Sequence, residues 1–258
     1  MSASPDQSWT RYLADFHRAR PGITEDVLGQ SRSAHGLTPY DWVTAPIPLG
    51  ARTLDLACGS GPGLRVRPSE PWVGVDRSSS ELARAVRSGS SNVLQADAGH
   101  LPFADASFDG VVCSMALMLV QPLERTVAEV LRVLAPDGLF VVTMPGSRPL
   151  RVRDVARYAV LLGRLDRARL AYPNGCGTLR WRARLRRGGF EVIEDTRTRF
   201  DFALTSPEHA QLFVASLYLP GVSRAALARA ERLAATWVGS DIGIPLRRLT
   251  LARRSKER

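Results

Sequence analysis

Short apolar runs alternate with amphipathic stretches along the middle of the chain. The apolar runs are TLDLA, WVGVD, VLQAD, FDGVVCS and GLFVVTM, and the stretches SSSELARAV and PLERTVAEVLRVL between them have helical spacing of their apolar residues. Brief, nearly continuous apolar runs separated by helices are typical of parallel strands that are covered on both faces. The pattern therefore predicts an α/β fold with a doubly wound, mostly parallel sheet.

The segments on either side of this core add helices and two more strands, which brings the expected sheet to seven. Before the core, SWTRYLADFHRARPGITEDVLGQ predicts one or two helices that break at Pro21 and Gly22. After it, helices are predicted for residues 150–170 and 178–187, and strands for FEVIEDTRTRFDF and PLRRLTLAR. A helical segment at 207–238 separates those two strands, where a short hairpin would be enough. We interpret it as an insertion, and insertions at strand ends usually build the substrate side.

Composition excludes some classes of protein. The chain has 258 residues, is 45% hydrophobic, and has no run of the ~18 apolar residues that a membrane span needs. Its first residues lack the basic and then apolar pattern of a signal peptide. The cysteines, Cys58, Cys113 and Cys176, are far apart and form no CxxC pair, so neither a zinc site nor a disulfide framework is indicated. We therefore expect a cytoplasmic protein with no metal.

A glycine-rich stretch, LDLACGSGPG at 54–63, ends the first predicted strand. In a doubly wound sheet this turn faces the crevice in which ligands bind, and Gly59 and Gly61 allow a tight turn with bare backbone beside a cofactor. A dinucleotide-binding GxGxxG motif is a poor match, because Leu64 stands where a small residue is needed. That motif also has no use for Asp55 inside the strand. The stretch therefore favours a cofactor other than NAD.

Five ordered motifs resemble those of the class I S-adenosylmethionine (SAM) methyltransferases. The first is LDLACGSG, with Asp55, Cys58, Gly59 and Gly61, and it is followed in the right order by GVDRSSSELARA, QADAGHLPF, FDGVVCSMALMLV and EVLRVLAPDGLFVV. The resemblance is to the ubiquinone/menaquinone-biosynthesis-like branch, also called methyltransferase type 11, and covers about residues 53–144. It implies a Rossmann-like methyltransferase fold, SAM as the cofactor and S-adenosyl-L-homocysteine (SAH) as the product.

The resemblance also implies roles for single residues. Asp76 would accept both ribose hydroxyls, an arrangement that suits an ionised carboxylate. The alternative, that Asp76 caps the following helix, is weaker because Ser78 or Ser79 can serve as the cap.

Further roles follow for the two other acidic residues of these motifs. Asp97 would lie near the adenine amino group with the Ala98 backbone beside it, and Asp55 would order the loop and support the methionine ammonium. Arg77 either stacks on the purine or stays solvated. The predicted cofactor-binding set is Asp55, Ala57, Cys58, Gly59, Gly61, Asp76, Arg77, Asp97, Ala98, Cys113 and Ser114.

The residues after the fourth strand bear on the methyl acceptor. That segment, CSMALMLVQP, lacks the Asn-Pro-Pro-Tyr type of sequence that grips exocyclic base amines, which counts against methylation of nucleobases. Cys113 also lacks the Pro-Cys context of the pyrimidine C5 methyltransferases, so we interpret it as a small strand residue. Met115, Leu117, Met118 and Leu119 are equally consistent with the core and with an apolar acceptor pocket.

A general base would be useful if the acceptor is a hydroxyl group. His17 is our candidate, because its helix is expected to lie over the cofactor crevice; the alternative is a histidine that packs between helices or lies at the surface. His100 is a weaker candidate. Trp9, Tyr12 and Tyr40 are candidates for closing the lid that the N-terminal segment would form.

The formal net charge is +10, and 34 of the 35 basic residues are arginines. Between residues 148 and 199 there are fourteen arginines and five acidic residues, so most of the charge lies in one region. One interpretation is an anionic acceptor, for example an RNA or a small anion held by Arg151, Arg153 or Arg157. We favour the other, a set of solvated helix faces, because arginines at 180, 182, 184 and 186 spread around a helix. The preference for Arg over Lys then reflects a GC-rich coding sequence.

These observations predict one domain in three parts. Residues 1–50 form an N-terminal helical lid, 51–146 the SAM-binding core, and 147–258 the remainder of the sheet with helical insertions on the acceptor side. The leading hypothesis is methyl transfer from SAM to a small, fairly apolar metabolite in bacterial specialised metabolism. Two alternatives stay open: an RNA methyltransferase that uses segment 148–199, and a SAM-binding cyclase or binding protein that transfers no methyl group.

Overall fold

The computed structural model describes residues 5–175 and 178–254 and contains one seven-stranded sheet. The strands are β1 (Thr53–Leu56), β2 (Trp72–Asp76), β3 (Val93–Gln95), β4 (Phe108–Ser114), β5 (Leu134–Pro145), β6 (Phe190–Leu204) and β7 (Ser240–Arg253). They lie in the order β3-β2-β1-β4-β5-β7-β6, with the first five parallel and β7 antiparallel to both neighbours. The predicted α/β class with a doubly wound, mostly parallel seven-stranded sheet is confirmed.

Helices flank this sheet along the described chain. They are α1 (Pro5–Ala19), α2 (Ile23–Gln30), α3 (Pro39–Thr44), α4 (Pro62–Val66), α5 (Ser79–Arg87), α6 (Leu123–Val133), α7 (Val152–Arg164), α8 (Thr178–Arg187), α9 (Pro207–Ala215) and α10 (Arg224–Ala235). The predicted break between α1 and α2 is present at Pro21 and Gly22, where Gly22 takes a φ of +75°. The short α3 was not predicted. Its start is fixed by a capping box in which the side chains of Thr38 and Asp41 accept each other's backbone N–H.

Successive residues of β4 alternate between two apolar cores, as the period of a strand requires. Val111 and Cys113 pack in the larger core, together with Phe16 from α1. Val112 points the other way and packs in a smaller core with Val43 from α3. The sheet is therefore buried on both faces, which explains why its strands read as nearly continuous apolar runs.

The segment between β6 and β7 is the insertion that the sequence predicted. Its two helices, α9 and α10, pack with α7 into a second core, where Leu161, Phe213 and Ala230 are almost fully buried. The strands on either side of the insertion, β6 and β7, pair directly over their whole length. Antiparallel neighbours such as these need only a short hairpin, so α9 and α10 are additional to what the sheet requires.

The arginines near α7 are bound within the protein. Arg151 and Arg153 form ion pairs with Asp241, and Arg157 donates to the Asp241 backbone oxygen at 2.6 Å. Arg199 donates two hydrogen bonds to the fully buried Asp154, at 2.8 and 3.1 Å. These pairs fasten α7 to the β6–β7 edge, and they occupy the side chains that we considered as ligands for an anion.

The arginines of α8 spread around the helix, as residues two positions apart must. Arg180, Arg182 and Arg186 are exposed, while Trp181 and Leu185 between them are buried against the sheet. The helix therefore presents a dispersed set of positive charges and no single basic stripe.

None of the described helices is long and apolar enough to cross a bilayer. Within the described residues there is also no group of three or more His, Cys, Asp or Glu that could hold a metal ion. Cys58 and Cys113 are buried free thiols, whereas Cys176 lies outside the described residues.

Candidate functional site

A cavity of about 540 Å³ lies at the carboxyl ends of β1, β2 and β4. Residues from α1, α2 and α3, together called the lid helices, line its other sides. This is where ligands bind in open α/β sheets. Nine of the eleven predicted cofactor-binding residues line it: Asp55, Ala57, Cys58, Gly59, Asp76, Arg77, Asp97, Ala98 and Ser114.

The other two predicted residues, Gly61 and Cys113, do not line the cavity, and their expected contact with the cofactor is corrected here. Gly61 begins α4 with a φ of +75°, and its carbonyl accepts a hydrogen bond from Ser90 Oγ at 3.1 Å. Cys113 is fully buried in the larger core, and burial raises the pKa of its thiol to about 12. Gly61 therefore shapes the loop behind the cavity, and Cys113 belongs to the strand behind it. Cys113 is thus consistent with our interpretation of it as a small strand residue.

The glycine loop after β1 is a tight turn pinned to the sheet. Ala57, Gly59 and Gly61 all have positive φ, and the Cys58 N–H donates to Val75 O of β2 at 2.9 Å. A β-carbon added at Gly59 would overlap the carboxylate of Glu25 from α2. The loop therefore turns tightly beside the cavity, with Gly59 in a backbone conformation that favours glycine and with the Glu25 carboxylate against it.

Asp76 ends β2 with its carboxylate held by the backbone. Its Oδ2 accepts the Gly59 N–H at 2.9 Å and its Oδ1 accepts the Ser78 N–H at 2.8 Å. Ser78 is the N-cap of α5, as expected, so Asp76 is not needed there. Each carboxylate oxygen has two lone-pair sites and keeps one for a further donor. Asp76 is thus preset to receive two hydroxyl groups.

Asp97 and Ala98 follow β3 and line the cavity beyond Asp76. The Gly99 N–H donates to Asp97 Oδ1 at 2.7 Å, and the His100 N–H donates to the Asp97 carbonyl at 2.9 Å. This tight turn fixes the carboxylate at one end of the cavity. His100 is exposed and serves this turn through its backbone.

Two further carboxyl groups in the cavity form no ion pair within the described residues. Asp55, at the end of β1, is only 4% exposed, and burial with the charges of Asp76 and Glu25 raises its pKa to about 7. Glu25 Oε1 accepts the Ser60 N–H at 3.4 Å, while Glu25 Oε2 is shielded from solvent without a described hydrogen-bond partner. Burial and the nearby Glu81 raise the pKa of Glu25 to about 7. The cavity therefore contains two acidic groups without an ion-pair partner among the described residues, and the raised pKa values reflect that lack.

His17 and Glu81 connect the lid helices to α5. His17 Nδ1 lies 2.7 Å from Glu81 Oε1, and the same oxygen accepts the Gly22 N–H at 3.0 Å. Burial lowers the pKa of His17, but the Glu81 hydrogen bond and the charges of Glu81, Glu25 and Asp76 raise it overall. An imidazole that holds its proton and is bound to a buried carboxylate is suited to positioning the lid. Its use as a general base stays a prediction.

The aromatic residues expected in the lid pack against the body of the protein. Trp9 and Tyr12 contact the larger core, and the Leu219 N–H donates to the Tyr12 hydroxyl at 2.7 Å. Tyr40 is 5% exposed and lines the cavity, as does Tyr218, which follows α9. The movement of this lid stays a prediction.

The end of the cavity next to β4 is mostly apolar. Met115 and Leu119 line it, whereas Leu117 and Met118 are fully buried in the larger core. Leu117 and Met118 thus belong to the core, whereas for Met115 and Leu119 the acceptor pocket stays a prediction. From the region 147–258, Tyr218 is the one described residue that lines the cavity, so the expected acceptor side there is reduced to a single side chain.

Sequence reasoning missed three residues of this site: Glu25, Glu81 and Tyr218. Glu25 belongs to a helix that no motif marks, and Glu81 lies within the second motif, GVDRSSSELARA, where no role was predicted for it. Cys113 lies in the apolar run FDGVVCS and shares its face of the strand with Val111, and this pattern predicts a core position for it. That signal was present in the sequence.

Comparisons with known proteins agree with this geometry. Residues 54–142 match the methyltransferase domain family. The chain is 34% identical over 132 residues to a demethylmenaquinone methyltransferase of Symbiobacterium thermophilum, covering 45% of this chain and 53% of the relative. It is 32% identical over 157 residues to a malonyl-[acyl-carrier protein] O-methyltransferase of Geobacter sulfurreducens, covering 56% of this chain and 57% of the relative. The chain thus spans about half the length of the relatives it matches.

Solved structures show the same fold. The crystal structure of the [4+2]-cyclase SpnF matches with a TM-score of 0.54 and 24% identity, over 83% of this chain and 80% of that one.

SAM is the cofactor that the resemblance to this family implies, and the residues of the cavity fit it. SAM carries a ribose diol, which suits the two lone pairs that Asp76 keeps free. It also carries a sulfonium and an ammonium, which suit the unpaired carboxyl groups of Asp55 and Glu25.

We expect Glu81→Ala to release the lid helices. The change removes the acceptor shared by His17 and the Gly22 N–H, and losing partners of a buried polar group costs about 1–3 kcal/mol. Trypsin cleavage in the segment 11–32, which contains exposed Arg11, Arg18 and Arg32, should then become about tenfold faster. SAH should slow cleavage of the unmodified protein.

The matched control is Glu124→Ala, which changes an exposed glutamate on α6. Trypsin should cleave this variant at the same rate as the unmodified protein. Equal cleavage rates with and without SAH, and in both variants, would show that the N-terminal segment is not a lid.

The ligand-free protein should lose stability as pH rises from about 5 to 8. Asp55, Glu25 and Asp76 have raised pKa values, so the folded state binds more protons than the unfolded one and unfolding becomes easier with rising pH. The raised pKa of His17 acts in the same direction, because its stabilisation is present at low pH and lost at high pH. Differential scanning calorimetry at constant ionic strength should show a Tm that falls by several degrees.

Glu25→Gln should flatten this dependence, since it removes one of the titrating groups, whereas exposed Glu191→Gln should leave it unchanged. A Tm that rises over this range would contradict the assignment of buried, proton-binding carboxyl groups.

Proposed function

We propose that this chain, which belongs to the class I SAM-dependent methyltransferases of the ubiquinone/menaquinone-biosynthesis-like branch, transfers a methyl group from SAM to a small, fairly apolar metabolite. The acceptor would belong to bacterial specialised metabolism. The names of the two similar proteins, demethylmenaquinone methyltransferase and malonyl-[acyl-carrier protein] O-methyltransferase, support a biosynthetic acceptor.

The observation that carries the proposal is the order of groups along the sheet. Asp97 follows β3, Asp76 ends β2, Asp55 and Gly59 belong to β1 and its loop, and Met115 follows β4. The strands lie side by side in the order β3-β2-β1-β4. Adenine, ribose, methionine and acceptor therefore have successive places along one edge of the sheet.

The chemistry asks mainly for alignment. SAM supplies a methyl group on a positively charged sulfur, and an acceptor held in line can displace it. Leu13, Leu28, Val43 and Leu119 surround the acceptor end and exclude water. Alignment and exclusion of water are what the apolar walls provide.

Two phenols, those of Tyr40 and Tyr218, are among the polar groups that line the cavity. Burial raises the pKa of Tyr40 and of Tyr218 well above the usual range of a phenol, so both keep their protons. They would orient an acceptor by donating hydrogen bonds and would not remove a proton from it.

The arrangement of the arginines supports a small acceptor over an RNA. In the described part of segment 148–199 no arginine lines the cavity, and Arg151, Arg153 and Arg157 are bound to Asp241 or its backbone. A nucleobase would have to pass the lid helices to reach the β4 end.

Asp76→Ala should weaken SAH binding about tenfold or more, because two ribose hydroxyls lose a charged acceptor worth about 1.5–3 kcal/mol. Isothermal titration calorimetry is the measurement, with exposed Glu191→Gln as the control. Unchanged affinity in Asp76→Ala would refute the ribose assignment.

Tritium from methyl-labelled SAM should pass to the organic-soluble small molecules of a cell extract and not to total ribosomal RNA. The Asp76→Ala variant is the negative control, because its cofactor affinity is reduced. Label in the RNA would favour the RNA methyltransferase, and tight SAM binding without transfer to either fraction would favour the protein that transfers no methyl group.

A further inference from the structure

Among the described acidic side chains of the lid helices, Glu25 is the one that lies directly on the glycine loop. Its Oε1 accepts the Ser60 N–H at 3.4 Å, and its carboxylate fills the space where a side chain of Gly59 would stand. Its Oε2 is shielded from solvent and has no described hydrogen-bond partner. A carboxylate oxygen in this state lacks the donor or cation that its burial demands.

The described charges around Glu25 do not supply that cation. Asp55 from β1, Asp76 from β2 and Glu81 from α5 are acidic. The positive groups among these neighbours are His17 from α1, which is bound to Glu81 at 2.7 Å, and Arg84 from α5, which already donates to Asp26 and to the Pro21 carbonyl. Glu25 thus has no partner of its own within the protein.

The position of Glu25 along the sheet identifies the part of the cofactor that it faces. Adenine and ribose belong to β3 and β2, so the methionine end belongs to the loop after β1, which Glu25 touches. Tyr40 and Tyr218, which line the acceptor end, lie close enough to Glu25 for its charge to raise their pKa values. Glu25 therefore lies between the loop and the acceptor, where the methyl-bearing sulfur must be.

We propose that Glu25 is a specificity-determining residue whose carboxylate faces the sulfonium of SAM and makes the site prefer the charged cofactor to its uncharged product. The proposal rests on the proposed function for its cofactor. Asp55, beneath the loop, is the group expected to serve the ammonium, which SAM and SAH share. Methyl transfer removes the positive charge of the sulfonium, so the interaction with Glu25 is made by SAM and not by SAH.

The consequence is a site that favours exchange of product for fresh cofactor. After transfer the sulfur is a neutral thioether, and Glu25 again lacks a cation. SAH then leaves a buried, unpaired carboxylate behind it, which weakens product binding relative to SAM.

Calorimetry with three ligands tests this without any acceptor. The ligands are SAM, SAH and sinefungin, in which an amine-bearing carbon replaces the sulfonium and keeps a positive charge at that place. The unmodified protein should bind SAM and sinefungin about tenfold more tightly than SAH. In Glu25→Gln that preference should disappear, through weaker binding of SAM and sinefungin and unchanged or tighter binding of SAH.

Two other outcomes would overturn the proposal. An equal loss for all three ligands would assign Glu25 to the shared ammonium, and no change for any of them would remove Glu25 from the cofactor site. If the unmodified protein binds none of the three, the proposed function itself fails, which is a distinct result.

Controls separate charge from folding. Glu191→Gln on β6 removes an exposed carboxylate and should keep the full preference for SAM. Glu25→Gln preserves shape and removes a charge that burial disfavours, so its Tm should match or exceed that of the unmodified protein. Glu25→Ala is a second variant for which the same loss of preference is expected.

Discussion

Buried negative charge at the carboxyl ends of two neighbouring strands is the constraint on which the site depends. Asp55 ends β1 and Asp76 ends β2, and strands in a parallel sheet bring such ends together. Two carboxylates so close to each other need donors or cations. Asp76 receives two backbone N–H groups, whereas Asp55 forms no described ion pair. The described residues thus supply donors to Asp76, and Asp55 is the group that we propose for the ammonium of the cofactor.

The lid helices are attached to the same part of the sheet as Asp76, the residue that we propose for the ribose. Glu81 of α5 binds His17 and the Gly22 N–H, and Arg84 of α5 donates to the Pro21 carbonyl and to Asp26. Helix α5 in turn starts at Ser78, whose N–H is held by Asp76. The hydrogen bonds that hold the lid helices and those that hold the Asp76 carboxylate therefore all involve the N-terminal part of α5. A ligand that orders Asp76 also orders the surface on which the lid rests.

Sequence patterns were sufficient for the groups that belong to strand ends. The apolar runs placed the strands, and the resemblance to the methyltransferase motifs pointed to Asp76 at the end of β2 and to Asp97 after β3. The contributions of Glu25 and Glu81 could not be predicted, because each depends on helices far apart in the sequence meeting over the cavity. The periodicity of apolar residues indicates which face of a helix is buried, but it does not indicate which other element covers that face. The same limit hid the pairing of Arg151 with Asp241, which lies in the opposite part of the 147–258 region.

The net charge of +10 and the acidic cavity are compatible because they occupy different parts of the molecule. Arg199 and Arg247 are neutralised by Asp154 and Asp195 at the β6–β7 side of the sheet, far along the strand order from β1 and β2. Electrostatic effects of exposed charges fade over about 10 Å at ordinary ionic strength, whereas buried pairs are screened much less. Four acidic residues line the cavity, Glu25, Asp55, Asp76 and Asp97, against two arginines, Arg18 and Arg77, so the balance of acidic residues over arginines there is opposite to that of the whole chain. The basic composition therefore does not indicate the ligand. The arginines that we considered for an anion, Arg151, Arg153 and Arg157, are already bound to Asp241.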